Sequence, residues 1–198
     1  DNLSSKSILW KKPTFIGVWG DQSKEHAVTI QGFDERKVIV LGTPRFDHYF
    51  QSRNSVIDSY FDFKYLLFVG TALDFDEESL LSVIDMVVDK YKKVWGNIKV
   101  IYRPHPWRQN LCQVKETYGS HIVTDPQILM ANNDKTTSTQ PDLEYYPSLL
   151  KNAEYVMGGL TSMLIEGLIF NKQFLAFVHE DKAKVTNMRN AWDYFEHF

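Results

Sequence analysis

The stretch from Tyr65 to Val94 constrains the fold more than any other part of the chain. Tyr65-Leu-Leu-Phe-Val69 is a short apolar run closed by Gly70-Thr71. Leu80, Leu81, Ile84, Val87, Val88 and Tyr91 then recur at helical spacing across residues 76–94, with acidic residues in the first turn. A buried strand, a loop and an amphipathic helix make one β-loop-α unit.

The alternation continues downstream. Residues 98–102, 121–124, 155–157 and 174–178 read as strands, and 146–152 and 161–171 as helices, with Pro147 near the first position of its helix. Residues 131–142 are rich in Asn, Thr, Ser and Asp without apolar period, which predicts an exposed loop. Strands and helices in this order predict an α/β fold, a Rossmann-like parallel sheet with helices on both faces. Ligands in such sheets sit at the carboxyl ends of the strands.

Upstream, strands at 13–20 and 37–41 flank a short helix at 21–32. Two strands are too few for an independent core. Residues 1–50 therefore read as the remnant of a preceding domain and a connector, 51–180 as a Rossmann-like nucleotide-donor-binding domain, and 181–198 as a C-terminal helical tail. The tail's Trp192, Tyr194, Phe195 and Phe198 need a surface to cover.

Composition narrows the function classes. With 198 residues, 43% hydrophobic and 24% charged, the chain reads as globular. A net charge of -3 leaves no basic excess to neutralise a phosphate backbone, which argues against nucleic acid as a partner. The lone Cys112 cannot form an intramolecular disulfide or a thiolate metal site, and a reducing compartment fits it. Residues 1–7 are polar, and no apolar run approaches the roughly 20 residues needed to span a bilayer. The expectation is a cytoplasmic protein, at most peripheral at the inner face of the membrane.

Three polar motifs follow strands. Gly158-Gly-Leu-Thr-Ser162 leads into a helix that carries Glu166. Glycines permit close backbone approach, and helix-start N–H groups and the Thr161 and Ser162 hydroxyls suit phosphates. Glu166 stands four residues after Ser162 on the same face, and one turn (about 5.4 Å) is a spacing that matches phosphate to ribose. A tight turn with an ordinary cap is the rival reading.

In Arg103-Pro-His-Pro106 the two prolines restrict the backbone around His105, and a guanidinium with an imidazole suits a pyrophosphate. A rigid surface turn with an exposed His explains the same residues. Gly70-Thr71 either offers backbone N–H groups to a phosphate or simply ends its strand. Arg45, in Gly42-Thr-Pro-Arg-Phe-Asp47, either contributes to the site or pairs with Asp47. Metal-ligand spacing, the Gly-x-Ser-x-Gly elbow, the Gly-Lys-Ser/Thr loop and the Gly-x-Gly-x-x-Gly fingerprint are all absent from the sequence.

Taken together, these residues resemble the C-terminal half of a GT-B glycosyltransferase, akin to bacterial surface-polysaccharide enzymes and CDP-glycerol glycerophosphotransferases. The resemblance is carried by the Gly-x-Pro-Arg-x-Asp junction at 42–47, the basic-x-His-Pro loop at 103–106 and the run from Tyr145 to Gly167. It implies that Gly70, Thr71, Arg103, His105, Gly158, Gly159, Thr161, Ser162, Glu166 and Arg45 hold the donor. Arg103 and His105 would face the diphosphate, Thr161 and Ser162 a phosphate, and Glu166 the ribose.

The same resemblance implies a nucleotide-sugar or nucleotide-activated polyol phosphate as substrate and a glycan or lipid-linked acceptor, with no cofactor and no metal. It also implies a missing N-terminal Rossmann-like domain that supplies the catalytic base, so that this chain alone is an inactive fragment. UDP-N-acetylglucosamine 2-epimerases have a similar run, but the chain lacks their Thr-His-Arg-Glu-Asn loop. A non-catalytic nucleotide-binding or scaffolding domain on this fold is the remaining alternative.

Overall fold

The computed structural model describes residues 10–71, 76–105, 114–133, 144–159 and 161–177. They fall into two compact units divided between His48 and Tyr49.

In the first unit, β1 (Ile16–Val18) pairs in parallel with β2 (Val38–Val40) through the helix α1 (Asp21–Thr29). Val18, Ala27, Phe33 and Val38 form its small buried cluster. A 3-10 turn at Pro44–Phe46 carries Arg45 and runs into α2 (Asp47–Arg53), a polar helix with no apolar period to announce it.

The second unit is a five-stranded, all-parallel sheet. Its strands are β3 (Tyr65–Val69), β4 (Lys99–Arg103), β5 (Ile122–Thr124), β6 (Tyr155–Gly158) and β7 (Phe174–Ala176), in the order β5-β4-β3-β6-β7. The chain builds outward from β3 through β4 to β5, then returns to the other side of β3 for β6 and β7. That reversal makes the gap between β3 and β6 the topological switch point of a doubly wound, Rossmann-like sheet.

Alternation along the strands sorts the two faces. Phe68, Val100, Tyr102, Ile122 and Met157 pack with Leu81, Ile84 and Val88 of α3 (Glu77–Trp95). Asp76 caps α3, accepting from the Ser79 N–H at 3.0 Å. The residues between them, Tyr65, Leu67, Ile101 and Val156, are buried towards the opposite face. There Tyr65 donates its hydroxyl to the Leu149 carbonyl at 2.8 Å, tying β3 to α5 (Tyr145–Asn152).

Two helices differ from expectation. The structure has α4 (Pro126–Asn133) where a connection running into a loop was predicted, and residues 134–143 lie outside the described part. Asp125 caps α4 by accepting from the Gln127 N–H at 3.0 Å, and Pro126 takes the first helical position, where its missing N–H costs nothing. The predicted helix over 161–171 is the shorter α6 (Met163–Ile169). Asn171 adopts φ 56° and ends it, with Lys172 N–H donating to Gly167 O and Asn171 N–H to Leu168 O, the paired bonds of a Schellman stop. Pro106, Trp107, Cys112, Val178 and the tail to Phe198 lie outside the described residues.

Candidate functional site

Register fixes where the polar motifs meet. Val69 of β3 is level with Arg103 on one side and Gly158 on the other, so three strands end flush. Gly70-Thr71, Arg103 to His105 and Gly158-Gly159 therefore share one sheet edge at the switch point.

Both glycines that flank β3 are required by this crowding. A Cβ on Gly70 would lie 2.8 Å from the His105 nitrogen and 3.0 Å from the Glu77 carboxylate. Gly158, at φ +148°, would drive a Cβ into the Val69 carbonyl.

The backbone donors of Gly70-Thr71 have protein acceptors. Gly70 N–H donates to Arg103 O at 2.7 Å, and Thr71 N–H donates to Glu77 Oε1 at 2.9 Å. The Tyr102 hydroxyl donates to Glu77 Oε2 at 2.6 Å. Glu77, in the first turn of α3, thus accepts from both the Thr71 backbone and the Tyr102 hydroxyl at this loop.

One residue along β4 the side chain points the other way. Arg103 is only 3% exposed and pairs with Asp125, while its guanidinium donates to the Tyr146 hydroxyl and lies 4.2 Å from the Tyr146 ring centroid. Asp125 also accepts from the Tyr145 hydroxyl at 2.9 Å. Arg103 therefore meets protein partners on both sides of its guanidinium, where a diphosphate contact was expected.

Glu166 is likewise buried, 1% exposed, and accepts from the Tyr49 hydroxyl at 3.0 Å. The Tyr49 ring leans on Phe170 at a centroid separation of 5.9 Å. His105 and Thr161 are half-buried and Ser162 is exposed. The Ser162 backbone is helical, at φ -59° and ψ -20°, and its side chain makes no capping bond to α6. Arg45 belongs to the first unit, where its guanidinium lies 5.9 Å from the Phe46 ring centroid.

Asp125, Tyr145, Tyr146, Glu77, Tyr102 and Tyr49 form the polar framework of this edge, and sequence reasoning passed over them. Asp125-Pro126 carried a legible signal, since an acid before a proline opens a helix. The tyrosines carried none, because nothing local distinguishes a buried phenol that donates from one that only packs.

Burial, with the Asp125 charge second, pushes the Tyr65 and Tyr145 phenols well above their ordinary range. Burial also raises Tyr146, against the opposing pull of Arg103. Folded phenols that hold their protons above the unfolded value of about 10 stabilise the fold below that pH, and the contribution is lost as pH rises. The chain has ten tyrosines. A spectrophotometric titration should show these three resisting ionisation until alkaline unfolding, with the urea midpoint falling above about pH 10. Ionisation of all described tyrosines together near 10, with an unchanged midpoint, contradicts this arrangement.

Among the described residues, no group of three or more His, Cys, Asp or Glu could hold a metal ion, and no helix is long and apolar enough to cross a membrane.

Strand order, register and flush carboxyl ends define the second unit as a Rossmann-like α/β domain with a polar edge at its switch point. No protein-family description and no curated protein matches the chain. Solved structures similar to it include the wall teichoic acid polymerase TagF, in a variant soaked with CDPG, at 16% identity and TM-score 0.47 over 83% of this chain and 37% of that one. A further TagF variant stands at 15% identity and TM-score 0.49 over 88% of this chain and 42% of that one. The β-Kdo 2,4 transferase KpsC of Thermosulfurimonas dismutans stands at 14% identity and TM-score 0.39 over 78% and 49%. The chain thus spans less than half the length of each.

Proposed function

We propose that the second unit is the donor-binding half of a GT-B-type transferase that uses a nucleotide-activated sugar or polyol phosphate in surface-polysaccharide synthesis. The observation that carries this reading is the meeting of the Gly70, His105 and Gly158 strand ends at the switch point, where doubly wound sheets take nucleotides.

In this reading His105, Thr161 and Ser162 meet the phosphates directly, with Gly158 and Gly159 allowing the backbone to approach. Arg103 and Glu166 in this reading act from behind, through their hydrogen bonds to Tyr146 and Tyr49. The chemistry is displacement at an activated carbon or phosphorus, with a nucleoside phosphate departing. Positive charge and N–H donors stabilise the developing anion, an electrostatic form of catalysis. The acceptor and the base belong to a second Rossmann-like domain, and the reaction proceeds at the cytoplasmic face of the membrane.

The test is a thermal-shift and titration series with UDP, CDP, CMP and GDP species on a version extended to include that second domain. One nucleotide should raise the melting temperature, and His105→Ala should weaken it at least tenfold, about 1.4 kcal/mol. Glu166→Gln should weaken binding as well, and Tyr49→Phe distinguishes loss of the carboxylate from loss of its hydrogen bond. Unchanged affinity in both His105→Ala and Glu166→Gln sinks the site.

The protein partners of Arg103 and Glu166 favour one second reading, a domain that binds nucleotide without turning it over. Product analysis with a labelled donor separates the two.

A further inference from the structure

The chain enters the second unit at Tyr49 and reaches its first strand only at Tyr65. Between α2 and β3 it forms neither helix nor strand. From Arg53 to Tyr60 every residue but Ile57 is exposed, Val56 to 97%. Burial therefore contributes little to holding this segment in place.

Its carbonyls are nonetheless taken, by side chains from a single turn of α5. Lys151 Nζ donates to Ser52 O at 3.1 Å and to Arg53 O at 2.9 Å, and it donates to Ser55 O as well. Asn152 Nδ2 donates to Ile57 O at 3.2 Å, and the Ser148 hydroxyl to Asp58 O at 2.8 Å. Ser52 and Arg53 end α2, so the ammonium stands where a helix leaves carbonyls without partners and its dipole is negative.

Past Asp58 the segment follows α5 back towards its first turn. There the Tyr60 ring lies 4.7 Å from the Tyr145 ring, centroid to centroid. Tyr145 donates its hydroxyl to Asp125, which pairs with Arg103 at the switch-point edge. One continuous set of contacts thus leads from Lys151 through Tyr60 and Tyr145 to that edge.

We propose that residues 52–60 are a strap latched to α5 by Lys151, and that the state of the latch is coupled to the Asp125–Arg103 corner. A segment that buries little opens locally at far lower energy than a packed core, so its polar ties decide whether it is closed. One ammonium serves three of those ties, and its loss releases them together. The inference rests on these contacts and stands whatever the edge binds.

The test is limited thermolysin digestion of the 198-residue chain, with cleavage sites read by mass spectrometry. Exposed Val56 and the neighbouring Ile57 supply the side chains the protease selects. Cleavage of a transiently open segment follows the open population, and hydrogen bonds from a charged donor are the strong ones. Lys151→Met should therefore speed cleavage on either side of Val56 by at least about tenfold. Cleavage before Leu66, inside β3, should not change, and Lys151→Arg should restore much of the resistance.

Coupling is read by hydrogen exchange. The Asp125, Gln127 and Ile128 amides should exchange faster in Lys151→Met, and also in Tyr60→Ala, which leaves the latch in place. Urea midpoints check that both variants fold. If Lys151→Met is cleaved throughout, Tyr60→Ala carries the exchange test, since it alters an exposed ring. Unchanged cleavage at Val56 in a folded Lys151→Met overturns the latch. Unchanged exchange at the three amides in Tyr60→Ala overturns the coupling and reduces the strap to a local tether.

Discussion

Gly158→Ala should be the most damaging substitution along the sheet edge, costing between about 2 and 6 kcal/mol. Two effects add. Alanine at φ +148° carries backbone strain of about 1–3 kcal/mol, and its methyl group is pressed into the Val69 carbonyl, an overpacking cost of about 1–3 kcal/mol. Neither can relax cheaply, because Val69 is completely buried and paired on both sides. Gly167 is the internal control. A Cβ there would lie 3.6 Å from Val156 Cγ2, an ordinary contact, and alanine in a helix is favoured by about 1 kcal/mol. Urea denaturation should therefore move the two variants in opposite directions. Equal midpoints for Gly158→Ala and the parent would mean that β6 does not approach β3 as described.

Asp125→Ala should cost about 3–5 kcal/mol, because it strands Arg103 as an unpaired charge in an enclosed site. The Tyr145 hydroxyl and the first turn of α4 lose their acceptor in the same step. Arg103→Met together with Asp125→Leu should recover much of the loss, since an apolar pair needs no compensation. A double-mutant cycle measures the coupling directly. Additive effects would show that Arg103 and Asp125 act independently, contrary to their geometry.

The strands were legible where they were buried on both faces. Tyr65 to Val69 is a continuous apolar run because each parity meets a layer of helices, and the structure returns the predicted limits. α3 was legible for the complementary reason, a wide apolar stripe with an acid cap. α4 was not, because Pro126 to Asn133 has no apolar period and only its opening dipeptide signals a helix. Strand order and register are set by contacts across the sheet and leave no local trace. That gap decided the site. The sequence put Gly70, Arg103 and Gly158 at strand ends, but the level at which those ends align depends on pairing with Val69. Partners of the charged residues were equally hidden, since nothing local announces the tyrosine that stands across from Arg103 and from Glu166.

The carboxylate of Asp125 receives groups from β4, from α5 and from the backbone of its own helix, and the Asp125 backbone N–H donates to Tyr102 O at 2.8 Å. Such a residue is a joint, and its release loosens everything it joins. In hydrogen–deuterium exchange the Asp125, Gln127 and Ile128 amides should open together as one cooperative event, at an energy well above that of isolated turns. The rim of the crevice would then respond as a unit, so anything that loosens one wall is felt by the next.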